Sequence, residues 1–232
     1  MSHDPLSTPA HFDATELEAF AQRLLQVVGM PVPMAADVAS VLVEGDLLGH
    51  DTHGLQLLPV YLADVQAGRM AVSGEPTVVS DLGAVLTWDA RRLPGPWLVL
   101  RAIDVAGERA RRLGTGIVCI GRGHHIACLA VYARRVAQAG QVLLLFSSAP
   151  AGNSVAPFGG TRALFSPSPL AIGYPTSADP VMVDVSTSIT TNGLTGRLHR
   201  EGRRVPGAWL IDEQGAPTDD PSVLFTPQTG TI

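Results

Sequence analysis

The sequence predicts an α/β fold preceded by an N-terminal helical segment. Three observations lead there. Helical apolar spacing fills the first third of the chain, which then changes texture near residue 76. Beyond that point, short β-branched and leucine-rich runs alternate with amphipathic stretches. The run "TGIVCIG", the stretch "IACLAVYARRVAQAG" and the run "QVLLLFSS" follow one another as strand, helix and strand, which reads as a βαβ-like unit. We therefore divide the chain into a helical segment over 1–75 and an α/β domain over 76–232.

The elements follow in order. "DATELEAFAQRLLQVVG" carries Leu17, Phe20, Leu24, Leu25 and Val28 at helical spacing, with Asp13 or Thr15 as cap and Gly29 as stop. "PMAADVASVLVEGDLLG" repeats the pattern with Val38, Leu42 and Val43 and ends at Gly49. A third short helix, "LLPVYLADVQAG", stops at Gly68. "PTVVSDLGAVLTWDA" reads as two short strands around a Leu-Gly turn. "PGPWLVLRAIDVAGERARRLG" is a helix opened by prolines and closed by Gly114, with Arg109, Arg111 and Arg112 suited to the dipole at its end. "LAIGYPT" and "VMVDVST" are two further strands. After about residue 195 the sequence turns polar, with one short strand and a turn in "WLIDEQGAPTDDP" and no clear element in "SVLFTPQTGTI".

Composition excludes several function classes. Of 232 residues, 46% are hydrophobic and 16% charged, which fits a folded protein and not a disordered one. No apolar run reaches the ~18 residues of a membrane-spanning helix. The opening "MSHDPLSTPAHFD" lacks the basic-then-apolar signature of export, and Cys119 and Cys128 read as reduced core residues, so a cytoplasmic protein is expected. All 16 basic residues are arginine, which excludes a Schiff-base lysine and a phosphate-loop lysine. A net charge of −5 gives no nucleic-acid footprint.

Four segments hold the candidate chemistry. "GHDTHG" places His50, Asp51, Thr52 and His53 together between two glycines. The glycines favour a turn over a regular helix, and the group reads as a zinc site, an acid–base or substrate-orienting site, or a structural loop. "GRGHHIACLAVYARR" sets His124 and His125 where a strand hands over to a helix, a position suited either to proton transfer or to capping that helix. "NSVAPFGGTRALFSPSPLAIGYP" contains Gly159-Gly160, which permits close backbone approach to a ligand or a tight turn. Asp184 ends an apolar run in "VMVDVSTS" and is either a helix cap or a site residue. No GxGxxG follows a strand, so an ordinary Rossmann site is not supported.

Taken in order, "GHDTHG", "LPVYLADVQAG", "GHHIACLAVYARR", "VAPFGG", "SPLAIGYPT", "VDVSTS" and "GAWLIDEQGAPTDDP" resemble the malate/L-lactate dehydrogenase family of the non-Rossmann type. That family includes ureidoglycolate and sulfolactate dehydrogenases and the piperideine-2-carboxylate reductases. The resemblance implies a mixed sheet with flanking helices, a homodimer, and hydride transfer between NAD or NADP and a 2-oxo/2-hydroxy acid or cyclic imino acid. No metal, no nucleic-acid partner and no membrane partner is expected. It matches the proton-transfer histidine to His125 and the substrate-side wall to Asp51, Thr52, His53 and Gly54, with Thr52 in place of the usual serine. It matches cofactor contacts to Ser148, to Pro157, Phe158 and Gly159, and to Asp184, Val185 and Ser186. Three departures stand out. Leu57 occupies the position where relatives carry an arginine that grips the substrate carboxylate. Leu194 follows Gly193 where relatives commonly carry lysine. Family members also continue well beyond residue 232, so the resemblance implies that a C-terminal part of the family pattern is missing. Two other readings stay open on these residues: a catalytically impaired binding or partner subunit, and a zinc-dependent hydrolase.

Overall fold

The computed structural model describes residues 11–149, 152–225 and 227–232. The protein divides into two compact units that meet in sequence between Ala127 and Cys128. Composition alone suggests a division at 75/76.

The first unit opens with α1 (Ala14–Val27), whose N-terminus is closed by Asp13: its carboxylate accepts the Glu16 N–H at 3.0 Å. α1 packs on α2 (Val32–Leu47), the central helix of this unit. Val38, Ala39, Val41 and Leu42 are fully buried, so α2 is covered around most of its circumference and serves as the core. The "DTHG" stretch forms a short 3-10 turn over Asp51–His53, and a second over Leu55–Leu57 leads into α3 (Leu58–Gln66). The sequence expectation of a turn between Gly49 and Gly54 is thus met.

β1 (Thr77–Asp81) and β2 (Val85–Asp89) form the expected antiparallel pair. α4 (Gly95–Leu113) starts after Pro94 and ends at Gly114, whose φ of +83° closes the helix in the left-handed region that glycine adopts without strain. β3 (Ile117–Gly121) then returns parallel to β2. The βαβ unit of this protein is therefore β2–α4–β3, not the β3–helix–strand run that spacing suggested. Leu86 and Trp88 of β2 and Ala102 of α4 form its core, joined by Val105, Val118 and Ile120. Cys119, expected in the core, lies on the opposite, exposed side of β3.

The second unit begins with α5 (Leu129–Gln138). β4 (Leu143–Phe146), β5 (Leu170–Tyr174) and β6 (Val181–Val185) form an antiparallel sheet in that order, and α5 covers one face of it. β3 and β4 belong to different sheets. The apolar runs flanking α5 look alike in sequence, and sheet assignment depends on pairing partners that periodicity does not reveal. On the other face, register aligns Leu144, Ile172 and Val183, and beside them Phe146, Leu170 and Val185. Phe146 is 70% exposed and Leu144 60%, so this apolar face is open.

α6 (Asn192–Arg200), absent from the sequence expectation, follows under a Thr191 cap whose hydroxyl accepts the Leu194 N–H. Its mostly polar sequence hides the helix; Leu198 supplies the buried contact, packing with Val205, Leu210 and Ile232. β7 (Leu210–Ile211) and β8 (Pro217–Thr218) form the anticipated short strand and turn. The final residues, which gave no signal, add a bridge from Thr231 to Ile211.

Candidate active site

The two histidine-bearing segments of the first unit converge. His53, in the 3-10 turn after α2, stacks on His125, in the loop after β3, with ring centroids 5.7 Å apart and planes 24° from parallel. Thr52 Oγ1 lies 2.9 Å from His53 Nδ1 and fixes that ring. Asp51 stands exposed beside them. Of the five residues expected on the substrate side and at proton transfer, three therefore share one line of contacts: Thr52, His53 and His125.

A carboxylate that sequence reasoning did not single out shapes this turn. Asp46, in the last turn of α2, accepts the Leu55 N–H at 2.9 Å and crosses directly over Gly54. A Cβ at Gly54 would sit 1.9 Å from Asp46 Oδ1, so only glycine leaves room for the carboxylate. Burial raises the Asp46 pKa, the Leu55 hydrogen bond opposes that rise, and the nearby Asp51 charge adds to it.

Tyr61, one turn into α3 and 1% exposed, holds His125 from behind. Its hydroxyl lies 3.0 Å from His125 Nδ1 and donates to the His125 carbonyl, also at 3.0 Å. The backbone N–H of Ala127 donates to the same Nδ1 at 3.1 Å. A backbone N–H has no acceptor role, so Nδ1 must present its lone pair. The resting ring therefore carries its proton on Nε2: bare Nδ1 accepts from Ala127, and the single Tyr61 proton is shared between Nδ1 and the His125 carbonyl. Burial keeps the Tyr61 phenol protonated well above its ordinary range.

The same surroundings disfavour the His125 imidazolium. Its pKa is pushed down from 6.5 to about 4, first by desolvation and then by the charges that His53 and His124 would carry. The residue as a whole remains exposed, so water on its open side tempers this effect, and the direction is what matters for the chemistry. A weakly basic imidazole makes a strong acid when protonated, as a proton donor to an alkoxide requires.

The expected cofactor residues lie in the second unit. Asp184 turns toward α5, and its Oδ2 accepts the Ala130 N–H at 2.8 Å. It is a helix cap after all, but for the helix preceding it in sequence rather than for anything following. Cys128 Sγ lies 3.9 Å from the same oxygen, and burial pushes that thiol up to about 11. Val185 is exposed on the open sheet face, and the Ser186 hydroxyl donates to Ser188 O at 2.7 Å. Pro157, Phe158 and Gly159 form a turn closed by the Gly160 N–H on Pro157 O at 2.8 Å. Gly159 has a φ of +77° with open space where a Cβ would stand, and Phe158 is wholly exposed at the tip. Ser148 is exposed just beyond β4.

Against this geometry, residues 12–231 match the sequence profile of the family described as malate/L-lactate dehydrogenase. The chain belongs to the malate/L-lactate dehydrogenase family. Hydroxycarboxylate dehydrogenase B of Escherichia coli O157:H7 is 31% identical over 222 residues, covering 95% of this chain and 62% of that protein. A (2R)-3-sulfolactate dehydrogenase (NADP(+)) of Chromohalobacter salexigens is 33% identical over 211 residues, covering 90% of this chain and 62% of that protein. Among solved structures, a putative malate/lactate dehydrogenase from E. coli superposes with a TM-score of 0.90 at 30% identity, covering 96% of this chain and 63% of that one. The Δ1-piperideine-2-carboxylate reductase of Pseudomonas syringae superposes with a TM-score of 0.88 at 25% identity, covering 97% and 67%. The protein thus spans less than two thirds of the curated malate/L-lactate dehydrogenase relatives it matches, and it shares the fold of the solved structures over the span they have in common.

What sequence reasoning missed here is Tyr61, Asp46 and the pairing of His124. Tyr61 carried one usable signal: a tyrosine on the buried side of a helix must find a partner for its hydroxyl. Asp46 carried none, because its partner is a backbone N–H nine residues on, across a turn.

Proposed function

We propose that this protein performs hydride transfer between a nicotinamide cofactor, NAD or NADP, and a 2-oxo/2-hydroxy acid or cyclic imino acid. The observation that carries the reading is the His125 arrangement: an exposed imidazole whose Nδ1 is occupied from behind, leaving Nε2 for a reactant. Family membership and the relatives' own substrates support the choice of acid.

Reducing a C=O or C=N bond adds a hydride at carbon and a proton at oxygen or nitrogen. The nicotinamide, when bound, supplies the hydride. His125 supplies the proton: its imidazolium donates from Nε2, and the ring is left neutral with a proton on Nδ1. In the imidazolium and in this neutral form, Nδ1–H donates to the Tyr61 oxygen, Tyr61 gives its own proton wholly to the His125 carbonyl, and the Ala127 contact of the resting ring is given up. Oxidation reverses the transfer, with the neutral His125 tautomer that carries its proton on Nδ1 acting as base at Nε2. His53 and Thr52 orient the substrate, and Asp51 flanks them.

The residue set of the second unit fits a dinucleotide. The Gly159 turn is open to close backbone approach, Phe158 offers a bare aromatic face, and Ser148 and Ser186 offer hydroxyls. Val185 is exposed on the apolar face of the sheet. Asp184 would contact the cofactor through its Oδ1, since Oδ2 serves Ala130. Because Asp184 already neutralises the first turn of α5, that helix end is not a seat for the pyrophosphate. A homodimer and a cytoplasmic setting belong to the same reading; the open apolar face of β4–β6 supports the dimer, and light scattering tests it.

The decisive experiment follows NADH and NADPH oxidation spectrophotometrically against pyruvate, oxaloacetate, ureido acids and cyclic imino acids. Turnover with one of these, lost in His125→Ala while cofactor binding persists, is the expected result. Equal activity in the variant would remove His125 from the reaction.

A further inference from the structure

His124, next to the proposed proton-transfer residue, is held by a partnership that the reaction itself does not require. Its Nε2 lies 2.9 Å from Asp64 Oδ2, and its side chain is only 15% exposed. Asp64 is gripped on its other oxygen by Arg69, with Nε at 2.7 Å and Nη2 at 2.6 Å. Desolvation would raise the Asp64 pKa, yet the hydrogen bonds from Arg69 and His124 hold it below the usual carboxylate range. An anionic Asp64 accepts from His124 Nε2–H. That leaves Nδ1 of His124 buried without a hydrogen-bond partner among the described residues. A buried unmet nitrogen is costly, so the fold keeps this imidazole against a penalty that an apolar residue would avoid.

The arrangement around it explains why. Tyr61 and Asp64 stand one turn apart on α3 and so share a face. Tyr61 takes His125, and Asp64 takes His124. The two grips are coupled, because the Tyr61 ring packs edge-on against the His124 ring, with centroids 5.3 Å apart and planes at 88°. From the opposite side Gly95, at the start of α4, lies so close that a Cβ would stand 2.2 Å from His125 O and 2.5 Å from His124 O. The His124 N–H donates to Leu93 O at 3.1 Å. The dipeptide is thus seated between α3 and the start of α4.

We infer that His124, anchored on the Asp64–Arg69 pair, is a positioning residue that locks His125 with Nδ1 on Tyr61 and Ala127 and with its transferable proton on Nε2. Without the Asp64 anchor, the His124 ring no longer braces Tyr61, and the His125 ring is free to turn between its two tautomers. This inference rests on the proton-transfer reading of His125 for its purpose, but not for its test.

The test is ¹⁵N NMR of the imidazoles in the 232-residue protein at neutral pH, on wild type, His124→Gln and Asp64→Asn. The wild-type His125 resonances should separate into a protonated Nε2 and a bare Nδ1. In both variants they should draw together as the tautomers mix, with circular dichroism unchanged, and Asp64→Glu should restore the separation. An unchanged His125 pattern in folded Asp64→Asn would overturn the inference. That variant preserves the shape of the side chain and removes its charge, so it decides the matter should His124→Gln not fold. Loss of turnover in His125→Ala bears on proton transfer alone, so the two ideas can fail separately.

Discussion

Tyr61 holds His125 at two atoms at once, its hydroxyl lying 3.0 Å from both the imidazole Nδ1 and the carbonyl oxygen. Ring and backbone of the same residue are thereby tied to one buried phenol on α3. Removing that hydroxyl should cost the fold little and the chemistry more. Tyr61→Phe keeps the buried ring and loses hydrogen bonds worth about 1 kcal/mol each in stability. If Tyr61 receives the Nδ1 proton's hydrogen bond during transfer, kcat should fall by about tenfold with KM preserved, since the lost contact matters most in the transition state. A rise confined to KM would assign Tyr61 to substrate binding instead.

The lowered proton affinity of His125 makes a signed prediction for stability. The unfolded ring titrates near 6.5 and desolvation pushes the folded one down toward about 4, so between these values the unfolded state binds more protons. This contribution is therefore whole above about pH 6.5 and is lost as pH falls toward 4. Between about pH 7.5 and 5.0, urea midpoints should fall more steeply for wild type than for His125→Gln. Asp64 has the opposite cause and a lower window: its folded pKa lies below 3.8, so its contribution is lost only as pH drops through that lower value. Parallel pH profiles for wild type and His125→Gln would show that His125 titrates normally.

Gly54 should be irreplaceable for a steric reason. An alanine methyl there would meet the Asp46 carboxylate at 1.9 Å, displacing the acceptor of the Leu55 N–H. Gly54→Ala should destabilise the protein by about 1–3 kcal/mol. Because the intrusion is against Asp46, the double variant Gly54→Ala with Asp46→Ala should lose less than the sum of the two single changes, as thermal melts of all four proteins would register.

Leu57 is the place where the substrate-side wall departs from the arginine its family resemblance implies. It is half-buried in the turn before α3, and it bears no charge to meet a carboxylate. Leu57→Arg should tighten binding of a 2-oxo acid by about 10–100-fold, the effect of a charge-assisted hydrogen bond. The gain should be absent with the corresponding amide. Equal affinity for acid and amide in the variant would place residue 57 away from the carboxylate.

The sequence by itself determined most of the local elements and pointed to candidate site residues. Caps and stops such as Asp13 and Gly114 act within one turn of their own residue, so α1 and α4 are legible from the order of residues alone. The order of the histidine-bearing segments pointed to His53 and His125 without showing that their rings stack. Tertiary structure decided everything that depends on what meets across long stretches of sequence. It placed β3 and β4 in different sheets, made β2–α4–β3 the parallel unit, and revealed α6, whose polar sequence masks its one strong buried anchor, Leu198. It also set the protonation logic of the site. Whether an imidazole gives or takes a proton depends on which donors reach each nitrogen and how much water is excluded, and those donors, Tyr61 and Ala127, are fixed only once α3 and the loop after β3 have packed together.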